Sequence, residues 1–342
     1  MATTSRGKTR PITLALQGGG AHGAFTWGVL DALLADERIE IEGMSGSSAG
    51  AINAVVVADG IMAGGREGAR EALRRFWRAV GEAAAASPLR RSPIDVLLGN
   101  WSLDNSPGYL FLDLLSRVAS PYDLNPLNLN PLKDLLDRTV DFERVRSCDR
   151  MKLYVAATNV ETGRVRVFER DELTPEAVLA SACVPYLFQA VEIDGVPYWD
   201  GGYMGNPVLF PFFHGCHSDD IVIVQINPLE RKGTPRSARD VLNRMNEITF
   251  NASLMKELRA IAFVQRLLDE GRLDEERYAH VRIHIIAADD ALEPLGASSK
   301  MNAEWAFLSH LFEVGRTHAL SWLESHHADL GRRSTVDLST MF

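Results

Sequence analysis

The chain has 342 residues, 46% hydrophobic and 24% charged, with a formal net charge of -9. That composition excludes a disordered or collagen-like chain and supplies apolar side chains for one large domain or two ordinary ones. An acidic chain has no long-range attraction for nucleic acid or anionic lipid, so no nucleic-acid partner is expected and a membrane contact would need a local basic patch.

Residues 1–10 read as a polar, disordered tail. Arg6, Lys8 and Arg10 ahead of an apolar run mimic a secretory signal, but the run ends after five residues in Gly18-Gly19-Gly20 and reads as a first strand over 12–17. A helix is predicted over 24–34 with Phe25, Val29, Leu30 and Leu33 on one face, then a strand over 39–44 and a helix over 49–58. Strand-helix-strand-helix at this spacing implies parallel pairing in an α/β sheet. Residues 66–80 form an amphipathic helix with Arg66, Arg70, Arg74 and Arg78 on its polar side. A membrane-surface helix using Trp77 is one reading, and a solvated face with Glu67 and Glu71 paired to arginines is the favoured one.

The proline-rich stretch 87–135 reads as loops with short helices over 110–118 and 132–136, an insertion or lid. A hairpin-like pair follows over 152–160 and 165–168, then a helix capped by Thr174 with Pro175 at its first position. Asp194-Gly195 turns a second hairpin, immediately followed by Asp200-Gly201-Gly202. Residues 221–226 read as a central strand. The last third is mainly helical, over 238–270 and 302–326, with one strand over 281–287, and the end of the core unit is placed near Leu229.

No stretch approaches the roughly 20 apolar residues of a membrane span; 49–58 comes nearest and Asn53 interrupts it. Cys148, Cys183 and Cys216 are unclustered, which suggests a reduced cytoplasmic protein, peripheral to membranes at most, without a disulfide framework or a metal site. Cys183 reads as a small buried residue rather than a reactive thiol.

Gly46-Ser47-Ser48-Ala49-Gly50 sits between a strand and a helix, the setting of a nucleophile elbow. Residues 18–23 match G-x-G-x-x-G, again between strand and helix. A dinucleotide site with Glu42 as the ribose-binding acid and an oxyanion hole both fit such a loop. The second glycine-flanked turn favours the hydrolase, because a dinucleotide fold has no need of a strained serine there. A serine nucleophile needs a base. Asp200 is one candidate, with a plain turn aspartate as the bland alternative. His284 is another, since Ser48, Asp200 and His284 reproduce the Ser–Asp–His order, although His284 lies inside a strand pattern. His22, within the glycine loop, either contacts substrate or orients the loop. Tyr186, Phe188, Trp199, Tyr203, Phe210, Phe212 and Phe213 cluster around Asp200 as an acyl-chain wall or as core.

The trio formed by residues 18–23, by 46–50 and by Asp200-Gly201-Gly202 resembles the three signatures of the patatin-like phospholipases, over residues 12 to about 213. The resemblance implies a three-layer α/β/α sandwich with a mostly parallel central sheet. An acyl hydrolase domain over 11–229 would carry the insertion at 87–135; the helical C-terminal extension over 230–342, expected to pack on the core, lies outside the resemblance. It implies hydrolysis of lipid acyl esters, of phospholipase A, lysophospholipase or esterase type, through a Ser–Asp dyad. Ser48 would be nucleophile and Asp200 general base, with oxyanion donors from Gly18, Gly19, Gly20 and Ala49. Gly23, Gly46, Gly50, Gly201 and Gly202 complete the motifs. No cofactor is implied; the partner is a lipid or other acyl ester, with transient contact to a membrane surface. The sequence departs from the usual pattern at His22, where the family has Arg or Lys, at Ser47 for threonine and at Gly202 for alanine. The alternatives are a Ser48-Asp200-His284 triad esterase, a dinucleotide-binding protein and a non-catalytic lipid-binding protein.

Overall fold

A computed structural model describes residues 9–274 and 277–342. The tail expected over 1–10 lies outside the described residues up to residue 8, and Arg10 already begins the first strand. The chain runs β1 (Arg10–Leu16), α1 (Gly23–Ala35), β2 (Ile39–Gly46) and α2 (Ala49–Ala84). After α2 come α3 (Pro93–Leu97), α4 (Pro107–Ser116), α5 (Pro121–Leu124), α6 (Pro131–Thr139) and α7 (Phe142–Ser147). The second hairpin region comprises β3 (Lys152–Asn159), β4 (Val165–Glu169), α8 (Pro175–Ser181), β5 (Val191–Ile193) and β6 (Val196–Asp200). The remainder is α9 (Phe212–Gly215), β7 (Asp220–Val224), α10 (Ala238–Asp269), β8 (Arg282–Ile286), α11 (Asp289–Leu292) and α12 (Trp305–His326).

The strands form one sheet in the order β5-β6-β3-β2-β1-β7-β8, with β4 paired to β3. Strands β3, β2, β1, β7 and β8 run parallel, and β4, β5 and β6 add antiparallel pairs at one side. Every residue of β7 is buried, as a parallel strand covered on both faces requires. Side-chain alternation divides the core accordingly. Leu14, Leu16, Val222 and Val224 pack toward α1, α2 and α12, while Ala15, Ile221, Ile223 and Ile283 pack toward α10. The C-terminal region is mainly helical as expected, and its single strand β8 extends the sheet beyond the core boundary placed near Leu229.

Helix α2 is broken at Gly64 and Gly65, the latter at φ 64°, so the two helices read from sequence are segments of one kinked run. In its second segment the polar side carries ion pairs: Arg70 with Asp31 at 2.9 Å, Arg74 with Glu71 at 2.7 Å and Arg78 with Glu82 at 3.2 Å. Trp77 is buried and donates its indole N–H to Asn53 Oδ1 at 2.9 Å, so it is not presented to a membrane. Among the described residues no helix is long and apolar enough to cross a bilayer.

The prolines of the insertion start helices rather than break them. Pro93, Pro107, Pro121 and Pro131 each stand in the first turn, behind Ser92, Ser106, Ser120 and Asn130, whose side chains accept backbone N–H bonds. Proline lacks the N–H that would be orphaned there and its fixed φ suits the first turn. Helices α3 and α5 therefore stand where proline taken as loop punctuation predicts loop.

Helix α1 is buried around almost its whole circumference, not on the single face expected, because α12 covers the side that would otherwise meet solvent. The crossing is backbone-close: a Cβ on Gly28 would clash with the Phe312 carbonyl, and one on Gly315 with the Phe25 carbonyl. Asp31 on α1 also receives Arg316 of α12 at 3.2 Å and Arg70 of α2. Gly315→Val is expected to destabilise the protein by about 1–3 kcal/mol through overpacking, read as a lower denaturation midpoint in urea. An unchanged midpoint would contradict the close crossing.

Candidate active site

Ser48 stands where β2 ends and α2 begins, at φ 53° and ψ -124°. A non-glycine residue at positive φ is costly and persists only where its surroundings hold it. Here its N–H donates to the Ser181 carbonyl at 3.1 Å and to Ser181 Oγ at 2.9 Å, while Ser47 Oγ donates to the Gly205 carbonyl. A Cβ on Gly50 would run into the Leu16 carbonyl and one on Gly46 into the Gly50 backbone. The flanking glycines therefore seat the turn against the end of β1.

Asp200 closes β6 opposite Ala157 of β3. Its backbone is fixed by its own N–H donating to the Cys183 carbonyl and by Thr158 Oγ1 donating to its carbonyl, both at 2.8 Å. Its carboxylate accepts the Gly202 N–H at 2.7 Å and stands beside the Ser48 hydroxyl in the same cavity. Burial lifts the Asp200 carboxyl to about 6, against the opposing pull of the Gly202 N–H, the Ser48 hydroxyl and the Lys300 charge. The two candidate groups thus meet, and the carboxylate is both desolvated and more basic than a surface aspartate.

The glycine loop is held by a buried polar network. Gln17 Oε1 accepts from the Ile226 and Asn227 N–H groups at 2.9 Å each, and its amide donates to Asn251 at 3.1 Å. Asn227 Nδ2 donates to the Gly18 carbonyl at 2.9 Å, and the Gly18 N–H donates to Asn206 Oδ1 at 2.6 Å. The Gly18 N–H is therefore committed, which corrects its expected place among the oxyanion donors. Gly19, Gly20 and Ala49 line the pocket with Ser48. Ala49 opens α2, where first-turn N–H groups lack intrahelical partners. The other motif glycines make close contacts: a Cβ on Gly23 would press on Ala49, one on Gly201 on the Ala156 carbonyl and one on Gly202 on Phe250.

Ser48 and Asp200 share a cavity of about 400 Å³. Its walls are mostly apolar, with Ile52, Phe76, Trp77, Leu112, Leu187 and Phe250 prominent. Of the aromatic cluster around Asp200 only Tyr186 lines it, holding Tyr203 by a hydroxyl bond at 2.9 Å. Phe212 is core on the far face of the sheet, and Trp199, Phe210 and Phe213 are exposed. Cys183 is buried against the Gln189 carbonyl at 3.1 Å, and burial pushes its thiol up to about 12, so it is inert as expected.

Three of the alternatives lose their support: the His284 triad, the Glu42 ribose acid and a substrate contact by His22. His284 is fully buried, with Nε2 on Asp220 Oδ1 at 3.0 Å and Nδ1 on Thr335 Oγ1 at 3.2 Å, and it does not line the pocket; the triad loses its histidine. Glu42 accepts the His217 and Ser218 N–H groups at 2.6 and 2.8 Å, so the acid of the dinucleotide reading is spent on a loop away from the glycine turn. His22 is buried outside the pocket, its Nε2 on Ser299 Oγ at 2.8 Å. Ser299 donates its own proton to the Gly296 carbonyl at 2.6 Å, so His22 Nε2 carries the hydrogen and Nδ1 is left without a partner. Burial, then the nearby Lys300 charge, lowers the His22 pKa to about 3, and the imidazole is neutral.

Sequence reasoning missed the contribution of the last third. Asn246, Phe250, Ala297, Lys300 and Met301 line the same cavity, and Asn251 and Lys300 join the network under the glycine loop. Short polar residues on a helix and in a 3-10 turn carry no motif that could have announced them.

By architecture the chain is a three-layer α/β protein whose glycine loop and serine turn share one end of a parallel sheet. It belongs to the patatin-like phospholipase family, whose model matches residues 14–213, more than half of the chain. Membership of that family implies hydrolysis of lipid esters. Among solved structures the chain is similar to VipD from Legionella pneumophila, with 16% identity and a TM-score of 0.39, covering 92% of this chain and 70% of VipD. It is also similar to the heterodimeric ExoU–SpcU complex of the Pseudomonas aeruginosa type III secretion system, with 15% identity, a TM-score of 0.36 and 93% of this chain covered. The chain spans 52% of that second structure's matched chain. Among curated proteins none matches it in sequence.

Asn227→Ala removes the donor to the Gly18 carbonyl and an acceptor of the Lys300 ammonium. A loss of about 1–3 kcal/mol is expected from the buried groups left unpaired, measurable by urea denaturation; full stability would show that the network does not hold the loop.

Proposed function

We propose that the protein is a serine acyl hydrolase of lipid esters that works through a Ser48–Asp200 dyad. The observation carrying this reading is the strained Ser48 turn facing a buried, unpaired-by-histidine carboxylate inside one largely apolar cavity. Asp200 takes the Ser48 proton as Oγ bonds to the ester carbonyl carbon. The N–H groups of Gly19, Gly20 and Ala49 hold the oxyanion. Collapse breaks the bond to the alcohol, which leaves with the proton from Asp200. Water then gives a proton to Asp200, attacks the acyl-enzyme and releases the fatty acid, with the proton returning to Ser48. Proximity and desolvation make an aspartate adequate as a base here. The apolar cavity suits an acyl chain.

The insertion supports a lipid surface as the source of substrate. Helix α4 gives Tyr109, Leu112 and Ser116 to the cavity wall, while Phe111 and Leu114 on its other side are 64% and 61% exposed. An apolar rim at the mouth of the cavity fits contact with lipid aggregates.

Ser48→Ala should reduce turnover of a chromogenic acyl ester to background and abolish labelling by a fluorophosphonate, and Asp200→Asn should cost about 10²–10⁴-fold; robust turnover by either folded variant would sink the dyad. The base must be ionised, so kcat/KM should fall about tenfold per pH unit once the pH drops below an apparent value near 6. Phe111→Asp combined with Leu114→Asp should lower activity on phospholipid vesicles severalfold while sparing a short soluble ester. Equal loss on both substrates would argue against a rim function.

A further inference from the structure

We infer that Lys300, from outside the family-matched segment, supplies the positive charge at the glycine loop that His22 does not, acting as a positioning residue for that loop and for Asp200. This rests on the Ser48–Asp200 reading. The patatin-like pattern places Arg or Lys where this chain has His22, and that imidazole is buried, neutral and hydrogen-bonded to Ser299.

Lys300 lies in the 3-10 turn Ala297–Met301, which packs directly on the glycine loop. Its own carbonyl occupies the space a side chain at residue 20 would need, and Gly20 has φ 59°, so the contact demands glycine there. The ammonium donates to Asn227 Oδ1 at 2.8 Å and to Asn246 Oδ1 at 3.2 Å, and lies 5.4 Å from the centre of the Phe250 ring. Asn227 passes the link on, since its amide holds the Gly18 carbonyl. The side chain also lines the cavity that holds Ser48 and Asp200. The ammonium of this partly buried side chain is bonded to two neutral amides and, among the described residues, has no carboxylate partner in hydrogen-bond contact. Its charge is left to act on Asp200 and on the negative charge that develops beside the loop.

Tyr109, Asp113 and Tyr186 line the cavity with this pair. Asp200 and Glu247 face Lys300 from β6 and α10, and His22 faces it from the loop. Glu247 is already engaged by Arg231 at 2.6 Å and Arg244 at 3.1 Å. Cys183 and Tyr203 face Asp200, and burial pushes both upward, the thiol to about 12 and the phenol further. Burial lowers Lys300 to about 8, with Glu247 and Asp200 pulling the other way. Within this group Lys300 alone loses charge in mildly alkaline solution.

The test is the rate of Ser48 labelling by a fluorophosphonate from about pH 5 to about pH 10, on the full chain. The wild-type rate should rise through about pH 6 and fall again above about pH 8. Lys300→Met should cut the rate at neutral pH by about tenfold or more, move the acid limb to higher pH and abolish the alkaline fall. Lys300→Gln, which keeps a donor for Asn227 without the charge, should behave like Lys300→Met. A wild-type rate that stays level through the alkaline range overturns the inference without any variant. So does an alkaline fall that persists in Lys300→Met, or a wild-type profile in Lys300→Gln. Failure of wild-type Ser48 to label at any pH overturns the dyad as well, whereas normal labelling with no alkaline limb removes only the part assigned to Lys300.

Discussion

The seating of the Ser48 turn against the end of β1 is the constraint on which the rest of the site depends. Gly50 lies so close to the Leu16 carbonyl that only a glycine fits, and Gly46 packs as tightly on Gly50. That contact puts the start of α2 beside residues 18–20, so two separate strand-to-helix turns open on one cavity. The serine's positive φ is tolerated because Ser181 takes its N–H from the other side and Ser47 is tied to the Gly205 carbonyl. Strain at the turn is thus held by parts of the chain more than a hundred residues away.

Polar burial does a second job beneath the loop. Gln17, Asn206, Asn227, Asn251 and Lys300 satisfy one another and the backbone of Gly18 in a region with little access to water. A network of that kind orders a loop more firmly than apolar packing, because each misplacement strands a buried donor or acceptor. It also explains why the C-terminal region cannot be regarded as an appendage. Its helix α10 covers one face of the sheet, α12 covers α1 on the other, and the turn before α12 carries Lys300 to the loop.

Local chemistry accounts for what could be read in advance. Apolar runs and the Asp194-Gly195 turn place the strands within about two residues, and the Thr174-Pro175 cap does so for α8, whereas several short helices carry no such signal. The insertion was legible as irregular but not as helical, since proline after Ser or Asn signals both a turn and a helix start. Helix α1 reads as one-sided from the sequence because its partner α12 begins 270 residues after α1 ends. Among the aromatic residues near Asp200, sequence proximity was a poor guide: Phe212 faces the opposite core, while the cavity wall comes from α2, α4 and α10.

The sequence by itself determined the sheet class, the two glycine-flanked turns, and the candidates Ser48 and Asp200, because glycine spacing and strand periodicity are local properties. Only the tertiary structure decided which candidates meet. It withdrew His284 to Asp220, Glu42 to a loop and the Gly18 N–H to Asn206, and it left His22 uncharged. It also brought Lys300 to the glycine loop. The reason is physical: burial and distance set whether a carboxylate is basic, an imidazole charged or an N–H free, and neither is written in the neighbours along the chain.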